Sequence, residues 1–154
     1  MIHPGRYTYE GPKGKLIDCP NEVTGNFWCY NNNLTSLAGC PSSVGGSFLC
    51  HGNKLTSLAG CPSKVGGSFW CHNNDLTSLA DIGKQLKTCR NFNCEINNIE
   101  SNILGLLLID RVTKVAGDGP AFKILSRWVG QGKSALFRCQ KELIDAGYEE
   151  YAKL

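Results

Sequence analysis

Two histidines each follow a cysteine, at Cys50-His51 and Cys71-His72, and the two pairs stand 21 residues apart. A thiol beside an imidazole invites two chemistries. One is zinc ligation, which wants four convergent ligands, commonly two cysteines with two histidines, or four cysteines. The other is a cysteine nucleophile with a histidine base. Both meet the same obstacle. The segments Phe48-Leu49-Cys50 and Phe69-Trp70-Cys71 alternate with the period of a strand, and successive strand residues point to opposite faces. Cys50 and His51 are therefore not expected to share a metal or a proton. No C-x-x-C pair occurs in the chain. There is also no cluster of carboxylates and no nucleophile motif. Gly130-Gln131-Gly132 falls between two expected helices, the wrong setting for a dinucleotide loop. Asp110-Arg111 follows an apolar run and reads equally well as an ion pair. We expect no enzyme, no metal and no cofactor.

The outward positions of these strands carry more information. Parallel strands lie ~4.8 Å apart, so equivalent residues form ladders. The residue between the Phe and the Cys gives Trp28, Leu49, Trp70 and Asn93. The residue after the Cys gives Tyr30, His51, His72 and Glu95. A contiguous aromatic patch on a surface calls for an explanation that scattered apolar residues do not. Tryptophan and tyrosine are favoured anchors of protein interfaces. These eight residues are the expected partner-binding face. Two structural alternatives stand beside that reading: the C-terminal segment folds over the face, or the aromatics only strengthen the sheet by cross-strand packing.

The elements that place these residues are set by a repeat. A unit of 21 residues runs three times without interruption, from Cys19, Cys40 and Cys61. The second and third copies agree at 16 of 21 positions, the first and second at 13. A fixed period of this length means a solenoid of stacked coils. Phe27, Phe48 and Phe69, with Cys29, Cys50 and Cys71, point inward. Phe92-Asn93-Cys94 starts a fourth, degenerate coil, with two extra residues looped out around positions 83–90. Asn32, Asn53, Asn74 and Asn97 form a second ladder, each where the chain leaves the strand. A buried amide there needs backbone partners, since an unpaired one costs roughly 1–3 kcal/mol. Pro20, Pro41 and Pro62 block a long helix on the return side, which is expected as turns or short 3₁₀ pieces. Gly45-Gly46 and Gly66-Gly67 permit close backbone approach.

The expected organisation is an N-terminal cap over residues 1–18, a solenoid of about four coils over 19–102, and a helical cap over 103–154. The run Ile103–Ile109 is apolar throughout and is either a last strand or a short helix. Asp118-Gly119-Pro120 opens a helix to about Val129. A second helix spans about Ser134 to Ala146, with Leu136, Cys139, Leu143, Ile144 and Phe137 near one face.

Composition narrows the partner. The formal charge is +3, and the block from Cys19 to Ala80 holds only Glu22, Lys54, Lys64 and Asp75, so it is neutral. Aromatic ladders can stack single-stranded bases, but that mode also needs a basic groove. The helical end has Lys123, Arg127, Lys133, Arg138 and Lys141, offset by Glu142, Asp145, Glu149 and Glu150. Nucleic acid is not the expected partner. Nine cysteines, an odd count without an export signal, read as reduced thiols filling a narrow core. No apolar run approaches the ~20 residues of a membrane span. The expected location is the cytoplasm.

The block N-x-LTSL-x-GCP-x-x-VGG-x-F-x-C-x-x-N resembles the short leucine-rich repeats of uncharacterised proteins from tailed bacteriophages and their hosts, with Phe and Cys in two of the leucine places. The ending from Cys139 to Leu154 resembles the C-termini of such phage proteins. The resemblance implies a leucine-rich-repeat-like solenoid of short parallel strands and a viral or bacterial origin, and it carries no activity. The function expected is a non-enzymatic protein-binding module that binds and modulates a host protein, such as a defence component, in the host cytoplasm. The alternatives are a self-assembling scaffold and a single-stranded nucleic-acid-binding protein.

Overall fold

The computed structural model describes residues 1–154. The chain is a β-solenoid of about five turns closed by C-terminal helices. Each full coil carries two very short strands joined by a corner. The first sheet contains β1 (Ile2–His3), β3 (Glu22–Val23), β5 (Ser43–Val44) and β7 (Lys64–Val65), in that order. The second contains β2 (Tyr7–Thr8), β4 (Phe27–Trp28), β6 (Phe48–Leu49), β8 (Ser68–Trp70), β9 (Asn91–Asn93) and β10 (Lys114–Ala116), all parallel. Register keeps like over like: Phe27 pairs with Phe48, Phe48 with Phe69, and Phe69 with Phe92.

The first sheet is not anticipated by the repeat reading, which expects one strand per coil. It forms because Val23, Val44 and Val65 stack as a buried column and their backbones pair across coils. A two-residue strand is too short to show alternation in sequence. The rest of each coil is turn. Cys40 N–H donates to Leu37 O (3.1 Å) and Cys61 N–H to Leu58 O (3.0 Å). The serine of each LTSL motif accepts from the N–H two residues on, at 3.0–3.1 Å.

Both expected boundaries of the solenoid shift outward. Residues 1–18 are a coil in their own right: Ile2 pairs with Glu22 and Tyr7 with Phe27. At the other end β10 adds a sixth rung beyond residue 102, pairing Val115 with Phe92. The coil count is visible in the backbone. Asp18, Gly39, Gly60, Asp81 and Asn102, spaced by 21, all take positive φ (54°, 89°, 83°, 61° and 60°). Only Gly, Asp and Asn stand there, the residues that tolerate the left-handed region.

The core is a set of columns. Tyr7, Phe27, Phe48, Phe69 and Phe92 stack with ring centroids 5.1–5.7 Å apart. Cys29, Cys50, Cys71 and Cys94 form a second column, all buried, and Leu34, Leu55 and Leu76 a third. All nine cysteines are free thiols.

Asn53, Asn74 and Asn97 each accept from the N–H of the leucine two coil positions away on the preceding coil: Leu34, Leu55 and Leu76, at 2.9–3.0 Å. Each also donates to two cysteine carbonyls, one per coil, at 2.8–3.2 Å. Asn32 departs from the ladder. It is half-buried and its amide donates only to Tyr30 O (2.9 Å). The loop beneath it runs through Pro12, which has no N–H, and Gly14 N–H takes the backbone carbonyl of Asn32 instead.

The extra residues of the fifth coil are taken up by α1 (Ile82–Gln85). Ile103–Ile109 resolves as a 3₁₀ helix, Leu104–Leu108, buried over most of its length. Then follow α2 (Pro120–Trp128), a 3₁₀ turn (Lys133–Ala135) and α3 (Leu136–Asp145). On α3 only Cys139 and Leu143 are buried. Phe137 is 77% exposed and Ile144 45%, so the apolar face read from the sequence is wider than the stripe that packs. The final residues close on the fifth coil: Asn102 N–H donates to Glu150 O (3.0 Å) and Asn102 Nδ2 to Leu154 O (2.8 Å).

Candidate docking face

The second sheet turns its outer side to solvent, and every expected ladder residue stands on it. One row runs Trp28, Leu49, Trp70, Asn93 in direct register. Trp28 and Leu49 are half-buried, and Trp70 is the most open of the three at 41%. The neighbouring row is Tyr30, His51, His72, Glu95. Its rings lie flat on one another: Tyr30 to His51 is 4.9 Å at 10°, and His51 to His72 is 4.5 Å at 9°. Trp70 meets both histidine rings nearly edge-on, at 6.0–6.1 Å. Trp28 leans toward Tyr30 at 6.0 Å. The face is therefore one continuous aromatic surface two rows wide.

The C-terminal segment does not lie over it. That segment docks at Asn102 and Ile103 instead. Cross-strand packing is present, since the stacked row covers its own ring faces. What remains outward is ring edges and the Trp70 indole. One contact has no sequence signal: Arg6, from the first coil, places its guanidinium 4.4 Å from the Trp28 ring centroid. Thr8, the register partner of Trp28, is small enough to leave that ring face open.

Cys50 and Cys71 point the other way, into the core. Burial pushes both thiols well above their ordinary pKa, which removes the thiolate that nucleophilic attack needs. Cys61, at the edge of the core, is pushed up to about 12 by the same cause. No group of three or more His, Cys, Asp or Glu side chains gathers where it could hold a metal ion.

The imidazoles are held by ring contacts. Nδ1 of His51 and of His72 is buried without a hydrogen-bond partner, which leaves Nε2 as the solvent-facing nitrogen. Protonating His51 would bury an N–H with no acceptor. Consistent with this, burial lowers the pKa of His51, and the neighbouring His72 adds to the effect. A folded pKa below the unfolded value (~6.5) means the unfolded state binds the proton better. Stability is then full above that unfolded value and falls as pH drops through the folded one. The melting temperature of the wild type should decline between pH 7 and 5 more steeply than that of His51→Phe. Parallel declines would show that His51 is not the responsible group.

No helix is long and apolar enough to cross a membrane. No family model, curated protein or solved structure matches the chain.

Proposed function

We propose that the chain is a non-enzymatic protein-binding module and that the outer face of its six-stranded sheet is the docking surface. The observation that carries the reading is the continuity of Trp28, Tyr30, Leu49, His51, Trp70 and His72 on a register-locked sheet, the five aromatic rings in contact with one another and Leu49 set between the two tryptophans. Side chains already ordered by their neighbours lose little entropy on binding, which favours affinity. A standard interface takes about 800 Å² per partner. That is roughly a tenth of this chain's 7711 Å² surface. Base stacking is the weaker reading, because the ring faces of Tyr30, His51 and His72 are occupied by one another. On the resemblance to bacteriophage repeat proteins, the partner is a host protein whose activity docking modulates.

The test is affinity capture from bacterial lysate with the wild type and the Trp28→Ala/Trp70→Ala variant. One species should be retained in stoichiometric amount by the wild type and lost by the variant, with circular dichroism and melting temperature of the variant unchanged or nearly so. Equal retention by both proteins would refute the reading. Light scattering of the pure wild type adds a second arm. A dimer that the variant abolishes would identify a second copy of this chain as the occupant, in place of a foreign protein.

A further inference from the structure

The row that begins at Trp28 changes character along the solenoid. It runs Trp28, Leu49, Trp70, Asn93, Ala116, so bulky side chains end abruptly after Trp70. At that step a groove of about 360 Å³ opens, lined by Trp70, Asn93, Glu95, Ser68, Asn91 and Lys114 among others.

The other end of the same row shows what an uncovered indole takes here. Trp28 is capped by the Arg6 guanidinium, a cation–π contact. Trp70 has no such cap. The groove it lines is instead shared with the Glu95 carboxylate. Asn93, the register partner of Trp70, donates from Nδ2 to Glu95 Oε2 (3.2 Å), and Glu95 N–H donates back to Asn93 Oδ1 (3.0 Å). Asp118 continues the row of Glu95 and accepts from the Ile96 N–H (2.7 Å), which places a second negative charge nearby. Neither Glu95 nor Lys114 is engaged in an ion pair.

We infer that the notch between Trp70 and Glu95 is a guanidinium site that accepts an arginine side chain of the docking protein. The inference rests on the docking reading and names the chemistry of the partner. Arginine fits better than lysine because its planar, weakly hydrated head stacks on an indole while its N–H groups reach a carboxylate. Lys114 on the groove wall opposes the incoming charge, so its removal should strengthen binding.

The probe is N-acetyl-arginine amide, titrated into the full chain, with the Trp70 indole N–H followed by NMR and assigned through Trp70→Phe. The expected result is a saturable shift with a dissociation constant on the order of 1–10 mM, as befits a single side chain. The citrulline analogue, similar in shape but uncharged, should shift it at least about tenfold more weakly. Glu95→Gln should weaken the arginine titration about threefold or more, and Lys114→Ala should tighten it about twofold. Equal shifts from citrulline, an unchanged titration in Glu95→Gln, or no shift at all would overturn the site. Its failure is separable from that of the docking face. If the double tryptophan variant loses the captured partner while Glu95→Gln keeps full affinity, the face docks without a guanidinium and the site is withdrawn. If the probe binds as described but capture ignores both tryptophans, the docking reading falls and with it the docking protein's arginine, while the notch is kept as a guanidinium site.

Discussion

Asn53→Ala is expected to destabilise the fold by about 3–5 kcal/mol, seen as a lower urea midpoint at unchanged m-value. The reason lies in how many groups this one amide serves. Its Oδ1 accepts from Asn32 N–H (2.9 Å) and Leu34 N–H (3.0 Å), and its Nδ2 donates to Cys29 O (3.1 Å) and Cys50 O (2.8 Å). Leu34, Cys29 and Cys50 are fully buried, so water cannot replace the lost partners. Buried backbone groups left unpaired cost ~1–3 kcal/mol each. The four do not add in full, since a carbonyl has a second lone pair and the coils can relax. Lys54→Ala, at the next and exposed position, is the control and should stay within ~0.5 kcal/mol of wild type. A loss below 1 kcal/mol for Asn53→Ala would mean that the amide ladder does not hold the coils together.

Gly66→Ala should be at least as damaging, with a fall in melting temperature of ~10 °C or more, or no soluble folded protein. Its φ is not positive, so the cause is contact and not backbone strain. A Cβ at Gly66 would overlap the carbonyl oxygen of Gly45 in the coil beneath, and a Cβ at Gly45 would overlap that of Thr24. Both obstacles are backbone, which cannot swing aside. Relief requires the coils to part at the corner, where Gly66 N–H donates to Val44 O and Gly67 N–H to Gly46 O, both at 2.9 Å. Stability in a solenoid is summed over neighbouring coils, so a split between two of them weakens both halves. The first copy of the repeat shows the exception. There Thr24 stands in the place of Gly45, and its hydroxyl accepts from Gly5 N–H of the coil beneath (2.8 Å). A variant that melts within 2 °C of wild type would show that the corner has slack the stacking argument denies it.

Much of this architecture is legible before any coordinates. Phe27, Phe48, Phe69 and Phe92 recur at near-constant spacing, and a period repeated without interruption has one economical outcome: translation of the same coil. Alternation within Phe-x-Cys then assigns inward and outward faces, and the eight outward residues do emerge on one side. The first coil is harder to read. Tyr7 substitutes for Phe27, but the residues around it share nothing with the consensus. Only its end is legible: Lys15-Leu16-Ile17-Asp18 aligns with Ser57-Leu58-Ala59-Gly60 and marks a partial coil, in line with the column Asp18, Gly39, Gly60, Asp81, Asn102, whose members are the residue types that accept positive φ. Lys114–Ala116 carries no repeat residues at all, and it joins the sheet because the buried 3₁₀ helix before it returns the chain to the sheet edge. The exposure of Phe137 and Ile144 follows from where α2 and the 3₁₀ turn meet α3, which helical periodicity alone does not state.

From sequence alone came the stacking register, the identity of the core columns and the set of side chains that line the open face. Each follows from periodic identity, a local and repeated property of the chain. Tertiary structure decided the rest. It laid the imidazoles flat on one another, brought Arg6 over Trp28, and left Trp70 on a groove that Glu95 also lines. The last two arise where a repeating segment meets a non-repeating or degenerate one, so they depend on the path of unique loops through space; the imidazole row lies within the repeat, and there only the orientation of the rings was left for the fold to set.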